Sequence, residues 1–303
     1  MSEIQAETLK EVNMIQTKDK IVINFTPTGM LPTKKDTPYV PISPTEIIED
    51  VRRAYLLGIT MVHLHARDEN GLPSHHKEIY TKIIQGIREF APELIICVST
   101  SGRILNKLET RSDVLDLDGF NKPDMASLTM SSLNFNHSAS VNDPKMIFDL
   151  ASIMKEKKIL AEIEVFDLGM INYIHYLVKK ELLKEPFYVN FILGNIASAQ
   201  TDLLHIGSMI KDLPQQTILS IGGVGNQQLN ANALAIAMNY GIRVGLEDNI
   251  WFDQSRTHLA TNLELIQRAH HIIKATNKDV MSSLELRELL GLNTEKGKYG
   301  LKD

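Results

Sequence analysis

One cysteine in 303 residues excludes an intrachain disulfide, and because Cys97 lies in the apolar run "LIICV" a buried, inert thiol in a reducing compartment is expected. Basic residues are also in short supply. The 32 Lys and Arg against 37 Asp and Glu leave a formal charge of -5, which lacks the positive field that binds nucleic acid through its phosphates. No run approaches the roughly 18 apolar residues of a membrane helix, and the opening "MSEIQAETLKEV" has no apolar core of a secretory signal. A cytoplasmic protein with neither nucleic acid nor membrane as partner is expected. Neither a GxGxxG dinucleotide loop after an early strand nor a GxxxxGK phosphate loop occurs, which argues against an open, doubly wound nucleotide-binding sheet.

What the chain does have is alternation. Short β-rich runs such as "KIVINFT", "ITMVHLHA" and "ELIICVST" are separated by helical patterns such as "SPTEIIEDVRRAYLLG" and "KEIYTKIIQGIREFAP". Strand-helix repetition of this kind builds a parallel sheet. Strands are expected to begin near residues 20, 59, 93, 123, 159, 187, 216 and 241, with residues 101–122 the least regular connection. Their number and spacing predict an α/β fold of the (β/α)8 TIM-barrel type, one domain over residues 20–303. A C-terminal helix, "SSLELRELLG", closes it. The first barrel helix should start at Ser43, with Pro44 next and Glu46 three residues on, a capping box. Residues 1–19 form an N-terminal extension in which Leu9, Val12 and Ile15 predict a helix against the barrel bottom or a neighbouring subunit.

The stretch "VHLHARDENG" carries the first chemical signal. Residues two apart on a strand point the same way, so His63 and His65 present two imidazoles side by side at a strand end. They read either as core histidines held by hydrogen bonds or as half of a zinc site, which needs a third ligand and an open position. Glu247, in "RVGLEDNI" at the end of the last strand, is the candidate. Other polar residues also end strands: Ser99 and Thr100, Ser127 and Thr129, Glu162 and Glu164, Asn190, and Arg243. Each alone could cap the next loop, but catalytic groups of barrels gather at this end. Gly222, Gly223 and Gly225 in "SIGGVGNQQ" make either a tight turn or a phosphate-binding loop. His75 and His76 are expected on a solvated face, His270 and His271 on the surface or between helices, and His137 in a loop.

Taken in order, "PISPTEI", "VHLHARDENGLPS", "VSTSGR", "KPDMASLTMSSLNF", "AEIEVFDLGM" and "RVGLEDNI" resemble the β-keto acid cleavage enzymes over about residues 20–290. That family is a zinc-dependent (β/α)8 barrel that transfers an acyl group from a β-keto acid to coenzyme A. The resemblance implies that His63, His65 and Glu247 hold zinc, and that Ser99, Arg243 and Asp248 run the acid/base chemistry. It also implies that Ser127 stands near the substrate carboxylate, among substrate-binding residues that include Thr100, Thr129, Glu164 and Leu31. The reaction implied adds a nucleophile to the ketone, breaks the C–C bond and passes the acetate unit to acetyl-CoA. Acetoacetate and a new acyl-CoA are the products.

Three positions depart from the family pattern. Leu31 replaces the glutamate that suits a substrate ammonium, Ser101 replaces the first glycine after Ser-Thr, and Ser127 replaces a threonine. An apolar or uncharged substrate tail is therefore expected. A homo-oligomer, dimer or tetramer, is expected as well. Two other readings of the residues stay open: a zinc-dependent aldolase or hydrolase without coenzyme A, and a metal-binding barrel without catalysis.

Overall fold

Eight parallel strands close a ring in chain order: β1 (Ile23–Phe25), β2 (Met61–Leu64), β3 (Ile95–Val98), β4 (Met125–Thr129), β5 (Leu160–Val165), β6 (Phe187–Leu193), β7 (Thr217–Gly223) and β8 (Gly241–Val244), with β8 beside β1. This is the expected TIM barrel, seen in a computed structural model that describes residues 14, 15, 17 and 19–302. Helices alternate with the strands on the outside: α1 (Pro44–Leu57), α2 (Lys77–Arg88), the short α3 (Leu108–Ser112), α4 (Pro144–Glu156), α5 (Leu168–Lys179), α6 (Leu203–Lys211), α7 (Gln227–Ala237) and α8 (Asn262–Ala275). The connection over residues 101–122 is the irregular one, with α3 followed by 3-10 turns at Asp113–Asp116 and Gly119–Asn121.

Local chemistry sets the borders. At α1 the Ser43 hydroxyl accepts from the Glu46 amide and the Glu46 carboxylate accepts from the Ser43 amide, the reciprocal box that satisfies two otherwise orphaned donors. Thr261 with Glu264 and Ser282 with Glu285 repeat it at α8 and at α9 (Ser283–Leu289).

Strand alternation sorts side chains into two cores. Val62 and Leu64 of β2 join the large apolar layer between strands and helices. Met61 points inward, into a separate cluster with Val22, Ile95, Met125, Leu160, Tyr188 and Ile218. That cluster fills the lower barrel and is closed from beneath by Met281, Leu286, Leu290 and Leu292 of the C-terminal segment. Higher up, the inward positions turn polar: Asn24, His63, Glu162, Asn190, Ser220 and Arg243 are all buried.

The first strand differs from its expectation. The run from Lys20 divides: Lys20–Ile21 pairs with Asp279–Val280 outside the barrel, and only Ile23–Phe25 enters the ring. An unbroken apolar run hides this, because the change of partner is decided by a segment about 260 residues away. The helix expected in residues 1–19 falls mostly outside the described residues. Ile15, which is described, donates its amide to the Thr217 carbonyl at 3.1 Å and packs on the lower cluster.

Candidate metal centre and active site

His63, at the inward third position of β2, and His65 just beyond it lie over the upper end of the barrel. Their Nε2 atoms stand 3.3 Å apart. Glu247, four residues after Arg243 at the end of β8, brings Oε1 to 3.1 Å from His65 Nε2 and Oε2 to 4.0 Å from His63 Nε2. The ligand atoms of these three residues lie within 4.8 Å of one another. Two observations test whether the trio suits a cation. Glu247 Oε2 is buried without a hydrogen-bond partner, and two imidazole nitrogens face each other where at most one can donate. Two nitrogens and a carboxylate converging on one point, one oxygen left over, fit a divalent metal.

Behind His63 the barrel supplies an orienting group. Glu162 Oε2 sits 2.5 Å from His63 Nδ1, which fixes the proton on Nδ1 and leaves Nε2 for the site. Glu162 is fully buried and saturated with donors: Asn24 at 2.6 Å, Asn190 at 2.7 Å and the Cys97 thiol at 3.0 Å. Burial pushes its carboxyl up, but His63 more than offsets this and holds it down at about 2. For His63 itself burial opposes the charge while Glu162 and Glu247 favour it, raising its pKa to about 9; His65, dominated by burial, is lowered. Positive charge is thus drawn between the two carboxylates, and a cation held by the same residues would meet that demand in place of a proton.

Arg243 organises the other side. Its guanidinium reaches Asp248 at 3.0 Å, Glu247 at 2.7 Å and Glu164 at 3.7 Å, and it is itself buried. Burial works against its charge, yet these carboxylates raise its pKa well above the ordinary value. Burial raises Asp248 to about 6 against the pull of Arg243, so it is ionised at neutral pH yet close to its protonation point, as a general base requires. Glu164 is also raised, chiefly by burial, and accepts from the Thr129 hydroxyl at 2.7 Å.

A cavity of about 360 Å³ opens above these groups. Of the residues expected at the site, Leu31, His65, Ser99, Thr129, Glu164, Gly225, Arg243, Glu247 and Asp248 line it. His63 lies below its floor. Thr100 and Ser127 do not line it; they bind each other, the Thr100 hydroxyl donating to the Ser127 carbonyl at 2.6 Å and the Thr100 amide to Ser127 Oγ at 3.1 Å. Gly222 and Gly223 also lie off the wall. A Cβ on Gly222 would come within 2.9 Å of Arg243 Cβ, and one on Gly223 within 2.7 Å of the Gln227 backbone, so both serve close packing. The Val224 and Gly225 amides donate to the carbonyls of Leu193 and Asp248.

The structure corrects one histidine. His75 is buried, and its Nε2 meets the Ser101 carbonyl at 3.0 Å, pinning the loop after β3, while His76 is exposed as expected. With that carbonyl held, Ser101 occupies the glycine position without a positive φ. Asn24 and Cys97 act behind the site without having been singled out for it, and Glu162, expected among the polar strand ends, stands behind His63 and not on the cavity wall. The one available signal was period two: Glu162 must share the inward face of Glu164, and Asn24 is a polar residue inside an apolar strand.

With this geometry in place, comparison with known proteins is specific. A sequence profile of the β-keto acid cleavage enzymes matches residues 20–292. The 3-keto-5-aminohexanoate cleavage enzyme of Fusobacterium nucleatum is 33% identical over 277 residues, covering 90% of this chain and 98% of the relative. The 3-oxoadipate:acetyl-CoA acetyltransferase of Cupriavidus necator is 32% identical over 275 residues, covering 89% and 94%. Among solved structures, a ternary complex of ObcA with a C4-CoA adduct and oxalate superposes with a TM-score of 0.74 at 20% identity, over 84% of this chain and 68% of that one. The chain belongs to the β-keto acid cleavage enzyme family.

Proposed function

We propose that this protein is a zinc-dependent acyltransferase that condenses a β-keto acid with acetyl-CoA, giving acetoacetate and a new acyl-CoA. The observation that carries the reading is the convergence of His63, His65 and Glu247 beside the Arg243–Asp248 pair, at the floor of one cavity. The names of the relatives, which pair keto acids with acetyl-CoA, support the reaction class. His63, His65 and Glu247 would hold the zinc, which supplies a Lewis acid to polarise the substrate ketone. Asp248 accepts the proton at its carboxylate, Arg243 Nε holds that carboxylate in position, and Ser99 on the cavity wall relays. Thr129 and Glu164 orient the substrate from the β4 and β5 ends, with Thr100 and Ser127 bracing the loop beside them. Leu31 offers an ammonium no counter-charge and packs against the tail. The buried, unpaired Cys97 suits a reducing, cytoplasmic setting, and a dimer or tetramer is part of the same reading, checked by light scattering.

The test combines metal analysis of the purified protein with a screen of β-keto acids, with and without acetyl-CoA, following acetoacetate. About one zinc per chain, the stoichiometry of a single three-ligand site with an open position, together with acetoacetate that appears only with acetyl-CoA is the expected result. Cleavage that ignores acetyl-CoA would move the reaction to an aldolase or hydrolase.

A further inference from the structure

The charges around the cavity are unevenly matched. Its three carboxylates, Glu164, Glu247 and Asp248, all face Arg243. Arg103 lines the same cavity from the loop after β3 and has no carboxylate within 4 Å among the described residues. Its place is nonetheless built. The guanidinium lies 3.8 Å over the ring of Phe135, Nε donates to Ser138 Oγ at 3.4 Å, and the loop is pinned two residues earlier by His75 on the Ser101 carbonyl. The terminal nitrogens have no protein partner among the described residues, which leaves the fork of an arginine, suited to a carboxylate, open to the cavity. Burial lowers its pKa and Glu247 acts against that, so Arg103 stands within electrostatic reach of Glu247.

We infer that Arg103 is a specificity residue that receives a second carboxylate at the far end of the substrate, making the preferred substrates β-keto diacids. This rests on the proposed cleavage reaction and sharpens it. The keto acid's own carboxylate and ketone belong at the floor; the methylenes pass Leu31, and the distal carboxylate meets Arg103. The uncharged tail expected from Leu31 alone is replaced by one that is apolar along its length and anionic at its end. Coenzyme A, far larger than a cavity of about 360 Å³, must keep its phosphates outside, so a half-buried guanidinium inside the cavity is better matched to the acyl tail.

The experiment compares β-keto diacids of increasing length with monoacids of the same carbon count, using zinc-loaded protein. Binding is read by calorimetry without acetyl-CoA and turnover by acetoacetate, for the wild type, Arg103→Leu and Arg103→Lys. Wild-type protein should prefer the best diacid by about tenfold to a hundredfold, the range of a charge-assisted hydrogen bond in a partly buried site. Arg103→Leu should erase that preference and Arg103→Lys should keep part of it. Equal affinity for diacid and monoacid in the wild type would overturn the inference and leave the reaction intact. So would a loss in Arg103→Leu confined to the KM for acetyl-CoA, which would assign the cation to coenzyme phosphates. An Arg103-dependent diacid preference in binding, with no acetoacetate from any keto acid, would sustain the inference and overturn the reaction.

Discussion

Glu162 touches no solvent and does not line the cavity, yet it decides which nitrogen of His63 faces His65 and Glu247, the proposed metal position. Glu162→Gln is expected to lower metal affinity about 10- to 100-fold, since the amide no longer enforces an Nδ1 proton. Competition with a chelator measures it, with circular dichroism checking that the barrel is intact. An unchanged affinity would remove Glu162 from the site. His75 makes a prediction about pH. Burial lowers its pKa to about 4 from an ordinary 6.5, so the folded state prefers it neutral. A depressed pKa means that stability is intact above about 6.5 and is lost as pH falls toward 4, by about 3 kcal/mol from this group alone. Urea unfolding between pH 7 and 4 should show a shallower fall in His75→Gln than in the wild type. Parallel curves would mean that His75 gains a proton partner in the fold. Period two placed Glu162 on the inward face, but the part of His75 was not legible beforehand: "PSHHKE" has a polar surface pattern, and the burial of His75 comes from the loop after β3 folding over it.

The end of β8 is the element on which the site depends. Arg243, Glu247 and Asp248 fall within six residues, and the turn between them passes so close to β1 that a Cβ on Gly245 would lie 2.0 Å from the Thr26 carbonyl oxygen, at a φ of +157°. Thr26 also donates to Val244 at 3.0 Å and accepts from Glu247 at 3.2 Å, so the turn is clamped to its neighbour. Gly245→Ala should cost about 2–4 kcal/mol by overpacking against backbone that cannot move aside. Because Glu247 follows two residues later, metal affinity should drop with it, which separates this variant from a substitution that only destabilises. Unfolding curves and chelator competition on the same preparation give both quantities. Among the elements, α1 with its Ser43 box and most strands could be read from local pattern, as could the lack of regularity over residues 101–122. The split at Lys20–Ile21 could not, since pairing with Asp279–Val280 leaves no mark on the apolar run itself.

For the whole molecule, the polar upper barrel is possible because the lower end is sealed. Asp124 accepts from both Arg287 terminal nitrogens, at 2.9 and 2.8 Å, and from the Gly300 amide at 3.1 Å, with Arg88 at 3.6 Å. These bonds tie α9 and the chain end beneath the strands, where Leu286, Leu290 and Leu292 cover the apolar cluster. Arg287→Met should destabilise by about 3 kcal/mol, the lower end of what breaking a buried ion pair costs. A calorimetric scan would test it, and a loss under about 1 kcal/mol would mean that Arg88, with the Gly300 and Ile96 amides, satisfies Asp124 without Arg287. Alternating runs of the right length and number determined the barrel, because a parallel strand needs a helical crossover and eight such units close a ring. Period two likewise determined that His63 and His65 share a face. What no local pattern contains is which residues from distant segments meet: that Glu162 lies behind His63, that Glu247 arrives beside His65, and that Arg103 lines the cavity with no carboxylate within 4 Å among the described residues. Those distances follow from ring closure and strand register, and only the folded barrel brings these residues together at one end.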